Sequence, residues 1–141
     1  MTERIVDKEI LTREDLEQML KARGTEREFL LHKAAEVKLR QVGRKVYFRG
    51  LIEFSNICAK DCYYCGIRRS NRTVKRYDLS DEQILEAARF SYENNYGSVV
   101  LQGGEIASDA FTRRIESLLK EIKRLSGDRL GITLSLGEQS R

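Results

Sequence analysis

The sequence predicts an α/β fold: N-terminal helices followed by the first βαβαβ part of a parallel (β/α) TIM-type barrel, incomplete at three strands. Runs of branched and aromatic residues near 50–54, at 98–102 and at 131–136 read as strands, and amphipathic segments after Ser80 and over 109–125 separate them. Strands that alternate with helices pair in parallel through right-handed crossovers. A closed eight-stranded barrel takes about 250 residues, whereas 141 residues reach only a third strand. The expected division is a helical segment over 1–45 and a partial barrel domain over 46–141.

Each element has its own signal. Thr12 with Asp15, and Thr25 with Glu28, place a capping hydroxyl three residues before an acid and start two helices. Phe29, Leu30, Leu31, Ala34, Ala35, Val37, Leu39 and Val42 give the second a broad apolar face up to Gly43, and both helices are expected to pack against the barrel that follows. From Val46 the helical period is lost and a strand is expected near 50–54. Ser55 to Leu79 reads as a long loop, which inside a compact domain is usually functional, so it is expected to bind something. Ser80 with Gln83 caps a helix that buries Ile84, Leu85, Ala87, Ala88 and Phe90 and ends at Gly97. Ser98–Gln102 is the second strand, with Gly103-Gly104-Glu105 directly after it. A helix over 109–125 buries Phe111, Ile115, Leu118, Leu119, Ile122 and Leu125 before Gly127, and a strand over 131–136 follows. There is no strong internal repeat, low-complexity segment or proline-rich linker.

With 40% hydrophobic and 34% charged residues, the chain has a globular composition, not a disordered or fibrous one. No stretch approaches the ~20 apolar residues that span a bilayer, and Met1-Thr2-Glu3-Arg4-Ile5-Val6-Asp7 lacks the apolar run of a secretory signal, so a cytoplasmic protein is expected. The 26 basic and 22 acidic residues, net +4, are interspersed along helical stretches, as on a solvated, salt-bridged surface; nucleic-acid binding is the weaker alternative. The densest basic run, Arg68 to Arg76, follows the cysteines and is a candidate to attract an anionic substrate or cofactor.

All three cysteines, Cys58, Cys62 and Cys65, fall within eight residues, an odd and tight set that argues for metal ligation in a reducing compartment over a disulfide framework. Thiolates are the ligands of iron–sulfur clusters, commonly four of them. Three on a [4Fe–4S] cluster leave one iron open to a small molecule, and catalysis at a metal requires such an open position. The alternative is a structural zinc site, which normally closes with four Cys or His ligands. The single histidine, His32, lies on a predicted helix distant from the loop and reads as a surface or packing residue.

Cys-x₃-Cys-x₂-Cys, with Tyr64 just before the last cysteine, resembles the motif of the radical S-adenosylmethionine (SAM) enzymes. In that family the open iron binds the amino and carboxylate groups of SAM, whose reductive cleavage gives a 5′-deoxyadenosyl radical and methionine. The strings Arg49-Gly50-Leu51-Ile52-Glu53-Phe54-Ser55-Asn56-Ile57-Cys58, Tyr63-Tyr64-Cys65-Gly66-Ile67-Arg68-Arg69-Ser70-Asn71, Val100-Leu101-Gln102-Gly103-Gly104-Glu105 and Thr133-Leu134-Ser135-Leu136-Gly137-Glu138 are similar to the HydE group of [FeFe]-hydrogenase maturases, relatives of biotin synthase and methylornithine synthase. The likeness runs along the whole chain, helices included, and corresponds to less than half of a complete maturase.

The resemblance implies a [4Fe–4S] cluster on Cys58, Cys62 and Cys65, and SAM as second cofactor. It implies that Gly103, Gly104 and Glu105 receive the SAM ammonium, that Ser135 and Glu138 face SAM, and that Tyr64 lies near the adenine. Without it, the glycines and Glu105 read as an ordinary strand-to-helix turn, Glu138 as a loop acid and Tyr64 as an exposed aromatic. The sequence departs from the family pattern after Glu105, where Ile106-Ala107 stand in place of Asp and often Pro. The implied function is SAM cleavage in assembly of the hydrogenase diiron centre. Its implied partners are a small organometallic substrate, a reducing electron donor, and other maturases or a complementing chain. A methylornithine- or biotin-synthase-like enzyme is the alternative of the same class. The alternative of another class is a non-catalytic module that holds a cluster or zinc, because a partial sheet leaves an unpaired edge and an apolar face.

Overall fold

The computed structural model describes residues 5–139, so Met1-Thr2-Glu3-Arg4 of the N-terminal reading above lies outside them. The chain divides into two compact units, Met1–Val46 and Tyr47–Arg141.

The first unit contains helix α1, Arg13–Lys21, and helix α2, Gly24–Val42. Thr12 caps α1 as expected: its hydroxyl accepts the Asp15 N–H at 3.2 Å and the Asp15 carboxylate accepts the Thr12 N–H at 3.0 Å. The second capping box does not form. Helix α2 starts at Gly24, with φ +53°, so Thr25 already lies inside the first turn, and Arg23 at the cap position makes no side-chain cap bond. No residue of α2 is fully buried; Phe29 and Leu30 are half-buried, while Leu31, Val37, Leu39 and Val42 remain exposed. Two helices alone have too little apolar partner surface to cover so wide a face.

The second unit is a three-stranded parallel sheet in the order β1-β2-β3, with β1 Arg49–Glu53, β2 Ser98–Gln102 and β3 Gly131–Ser135. Helix α3, Asp81–Glu93, connects β1 to β2, and α4, Asp109–Ser126, connects β2 to β3. The core lies between sheet and helices: Ile52, Phe54, Val99, Leu101 and Leu130 meet Ile84, Ala88, Phe111, Ile115, Leu118 and Ile122. Among the described residues, β1 and β3 each pair on one side only, and Leu134 of β3 is exposed.

Helix α3 ends earlier than expected. Asn94 caps it and Asn95 takes the left-handed position at φ +61°, with its N–H on the Tyr92 carbonyl at 3.1 Å, so Gly97 plays no part in the stop. Phe90 is exposed instead of buried, because Ser91 takes the inward slot. Its hydroxyl donates to Ala87 O at 3.0 Å, and a β-carbon at Gly50 of β1 would stand 2.8 Å from it. A small, internally satisfied side chain there lets strand and helix approach closely. Phe90 packs outside against Tyr96, with ring centroids 6.5 Å apart.

The Ser55–Leu79 segment has neither helix nor strand beyond one bridge, Ser55 to Asp78, yet it is extensively hydrogen-bonded. Buried Asn56 donates to Lys75 O at 2.9 Å and accepts from Tyr77 N at 2.8 Å. The Arg76 guanidinium donates to four carbonyls, of Asn56 at 2.6 Å, Ile67 at 2.8 Å, Arg68 at 2.7 Å and Asn71 at 3.2 Å. Arg114 of α4 fastens the end of the loop, with Nε 2.7 Å from Asp81 Oδ1 and Nη1 3.0 Å from Asp78 Oδ2.

Candidate iron–sulfur and SAM site

Parallel strands in register bring three connections to one edge of the sheet. Glu53 pairs with Gln102 and Gln102 with Ser135, so the cysteine loop, the Gly103-Gly104-Glu105 turn and the Ser135–Glu138 segment all leave the same line of strand ends. In (β/α) barrels the C-terminal ends of the strands carry the active site. The ladder continues past the strands, since Gly103 N–H donates to Ser135 O at 3.1 Å.

Two glycines set how closely these segments meet. A β-carbon at Gly104 would overlap the Ile57 carbonyl and stand 2.7 Å from Cys58 Cβ. Only a bare backbone lets the turn lie against the start of the cysteine loop. The contact is reinforced by the Ala59 N–H on Glu105 O at 2.9 Å and by the Glu105 N–H on Cys58 Sγ at 3.4 Å. Gly137, at φ +74°, occupies backbone space that glycine alone takes readily, and a β-carbon there would stand 2.6 Å from Glu105 Oε2. Gly103 faces the ring of buried Phe54, which would be 3.1 Å from an added β-carbon.

The Glu105 carboxylate meets Lys60, with Nζ 3.1 Å from Oε1. Glu105, by hydrogen bond and then by charge, holds the Lys60 ammonium above its ordinary range; Glu138 and Cys62 add charge in the same direction. Cys58, Lys60, Gly104, Glu105 and Gly137 therefore form one connected group. Ser135 contributes its backbone carbonyl and has an exposed side chain. Tyr64 projects into solvent, 92% exposed, as does Tyr63 at 98%.

Cys58, Cys62 and Cys65 are free thiols, each partly exposed. Among the described residues no three Cys, His, Asp or Glu side chains converge as ligands of one metal ion. An iron–sulfur cube binds each of its thiolates at a different iron, so its ligands need not converge on a point. The loop presents them on ordered backbone: Cys65 N–H donates to Cys62 O at 2.9 Å, and Arg68 Nη1 donates to Cys65 O at 3.1 Å. Three available thiols on a braced loop, one already accepting a backbone N–H, fit such a cluster.

Residues 52–138 match the radical SAM superfamily. The chain belongs to that superfamily. It is similar to the [FeFe] hydrogenase maturase subunit HydE of Thermotoga maritima, 41% identical over 116 residues, which cover 81% of this chain and 32% of the relative. It is also similar to the 2-iminoacetate synthase of Escherichia coli K12, 30% identical over 128 residues, 87% of this chain and 34% of the relative. The solved structure of methylornithine synthase (PylB) superposes with a TM-score of 0.75 at 26% identity, over 95% of this chain and 40% of that one. The chain thus spans about a third of the length of the curated relatives it matches. The expected α/β architecture holds: the three-stranded parallel sheet is part of a radical SAM barrel. No helix among the described residues is long and apolar enough to cross a membrane.

Sequence reasoning missed Lys60, Gly137, Asn56 and Arg76. Lys60 stands between two of the cysteines, where its position was a signal, but its partner lies 45 positions along the chain. Of the basic run, Arg68 and Arg76 serve the loop's own carbonyls, while Arg69, Arg72 and Lys75 stay exposed.

Proposed function

We propose that this chain is the cluster- and SAM-binding part of a HydE-type radical SAM enzyme acting in [FeFe]-hydrogenase maturation. Cys58, Cys62 and Cys65 hold the [4Fe–4S] cluster. Gly103, Gly104 and Glu105 receive the SAM ammonium, Ser135 and Glu138 line the same edge, and Tyr64 lies by the adenine. Bound there, cluster and SAM supply reductive cleavage to a 5′-deoxyadenosyl radical and methionine.

The chain's own residues bind and orient. Gly104 allows the SAM-binding turn to lie against the cysteine loop, Gly137 seats the Glu105 carboxylate, and that carboxylate accepts charge-assisted hydrogen bonds from a cation. The observation that carries the reading is the contact of the Gly103-Gly104-Glu105 turn with Cys58, which joins the two motifs through the Glu105 N–H and Cys58 Sγ. Hydrogenase maturation, as against related chemistries, rests on the 41% identity to HydE compared with 30% to 2-iminoacetate synthase.

The test is anaerobic reconstitution with iron and sulfide, reduction, and electron paramagnetic resonance with and without SAM. A [4Fe–4S]⁺ signal that changes when SAM is added supports the reading. Absence of a cluster, or a signal indifferent to SAM, overturns it for this chain.

A further inference from the structure

Lys60 stands where a cationic ligand of Glu105 would place its charge. The two partners are unequal: the Lys60 side chain is 52% exposed and that of Glu105 only 17%. The Glu105 backbone is anchored. Its N–H is on Cys58 Sγ, its carbonyl accepts the Ala59 N–H, and the side chain lies against Gly137. The lysine, on a flexible four-carbon stem, reaches it from the solvent side of the loop and can leave by rotation about its own bonds.

We propose that Lys60 is the resident counter-ion of Glu105 and is exchanged for the ammonium of the incoming ligand, so that Lys60 sets how tightly the site takes an amino-acid cation. This deepens the function proposed above and rests on it. A carboxylate shielded on most sides needs an opposite charge. Lys60 supplies one before ligand binds, which keeps the turn ordered and makes every ligand ammonium compete with an intramolecular one. The competition is weak because the lysine is half in water, and an exposed ion pair corresponds to roughly a two- to fivefold change in an equilibrium constant. The opposite role, Lys60 grasping the ligand's carboxylate, is disfavoured by its setting, since Glu105 already holds the ammonium at 3.1 Å.

The two roles predict opposite effects of removing the charge. Wild type, Lys60→Met and Lys60→Arg are reconstituted with iron and sulfide, checked for equal iron content, and titrated by equilibrium dialysis. The probes are SAM, S-adenosylhomocysteine and methylthioadenosine, the last of which has neither ammonium nor carboxylate. Lys60→Met is expected to bind the first two about two- to fivefold more tightly, with methylthioadenosine unchanged and Lys60→Arg close to wild type. Unchanged or weaker SAM binding by Lys60→Met, beside normal binding by wild type, overturns the exchange and leaves the SAM site standing. Iron loss in Lys60→Met alone also overturns it, by making Lys60 part of the loop's scaffold. Failure of wild type and variant alike to bind any of the three overturns both readings.

Discussion

Gly104 lies so close against Ile57 that a β-carbon on it would overlap the Ile57 carbonyl and crowd Cys58 Cβ at 2.7 Å. Neither neighbour is the end of a flexible side chain, so the backbone itself must move. Gly104→Ala is expected to cost about 1–3 kcal/mol, as overpacking does, and to part the cysteine loop from the β2 turn. Iron retained after anaerobic reconstitution should fall sharply. Gly66 is the control: it lies beside Cys65, yet a β-carbon there meets nothing within 4 Å. Gly66→Ala should retain iron as wild type does.

Gly137 acts on the ligand side of the same group. An alanine there meets the Glu105 side chain and also strains a φ of +74°. Glu105 Cβ, 2.6 Å from the added carbon, is held by a backbone bonded to Ala59 and Cys58, so the exposed Gly137 segment must shift and the carboxylate is displaced with it while the cysteine loop keeps its place. Gly137→Ala is expected to keep its iron and to bind SAM about tenfold more weakly, a loss of about 1.4 kcal/mol. Equal losses of iron and of SAM would show that Gly137 supports the whole edge instead.

These two glycines mark how far the sequence can be read. The strands, the Thr12 and Ser80 capping boxes, and α4 are local matters of period and end chemistry, and such signals lie within a few neighbouring positions. The cysteines were legible as a motif for the same reason, whereas Gly103-Gly104-Glu105 stood out only through the family resemblance and otherwise read as an ordinary strand-to-helix turn. Lys60 and Glu105, or Gly137 and Glu105, meet only because parallel register sets three strand ends side by side, and no local pattern encodes that. Phe90 and Ser91 teach the complementary lesson. Hydrophobicity favoured Phe90 for the core, but at the close approach of β1 at Gly50 the inward place is taken by the small Ser91, which satisfies its own hydroxyl.

Acid sensitivity of the first unit follows from Asp15. Its carboxylate accepts from Lys8 Nζ at 2.7 Å and from the Thr12 N–H, and these bonds, Lys8 first, hold its pKa below the ordinary aspartate value. A depressed folded-state pKa contributes stability that is fully present above the unfolded value, about 3.9, and is lost as pH falls through the lower folded one. Helix content of the wild type should therefore hold down to about pH 4 and decline below it. Asp15→Asn should start lower and lose the part of that decline due to this carboxylate. Far-UV circular dichroism across the acid range checks it, and parallel curves for the two proteins would mean that Asp15 titrates as an ordinary aspartate.

Arg76 provides the strongest test of the idea that the cysteine loop is built before any cluster binds. Its guanidinium bonds carbonyls of Asn56, Ile67, Arg68 and Asn71, positions on both sides of the cysteine triplet, so one side chain closes the loop around it. Hydrogen bonds from a charged donor contribute about 1.5–3 kcal/mol each in favourable cases, but in a partly exposed loop water replaces some of them. Arg76→Met is expected to cost about 2–3 kcal/mol in chemical denaturation and to open residues 55–79 to protease. Arg76→Lys should recover little of this, because an ammonium lacks the planar fork that reaches several carbonyls at once. If Arg76→Met leaves protease resistance of the loop intact, the order comes from Asn56 and the β1 end alone, and the guanidinium merely occupies a place already made.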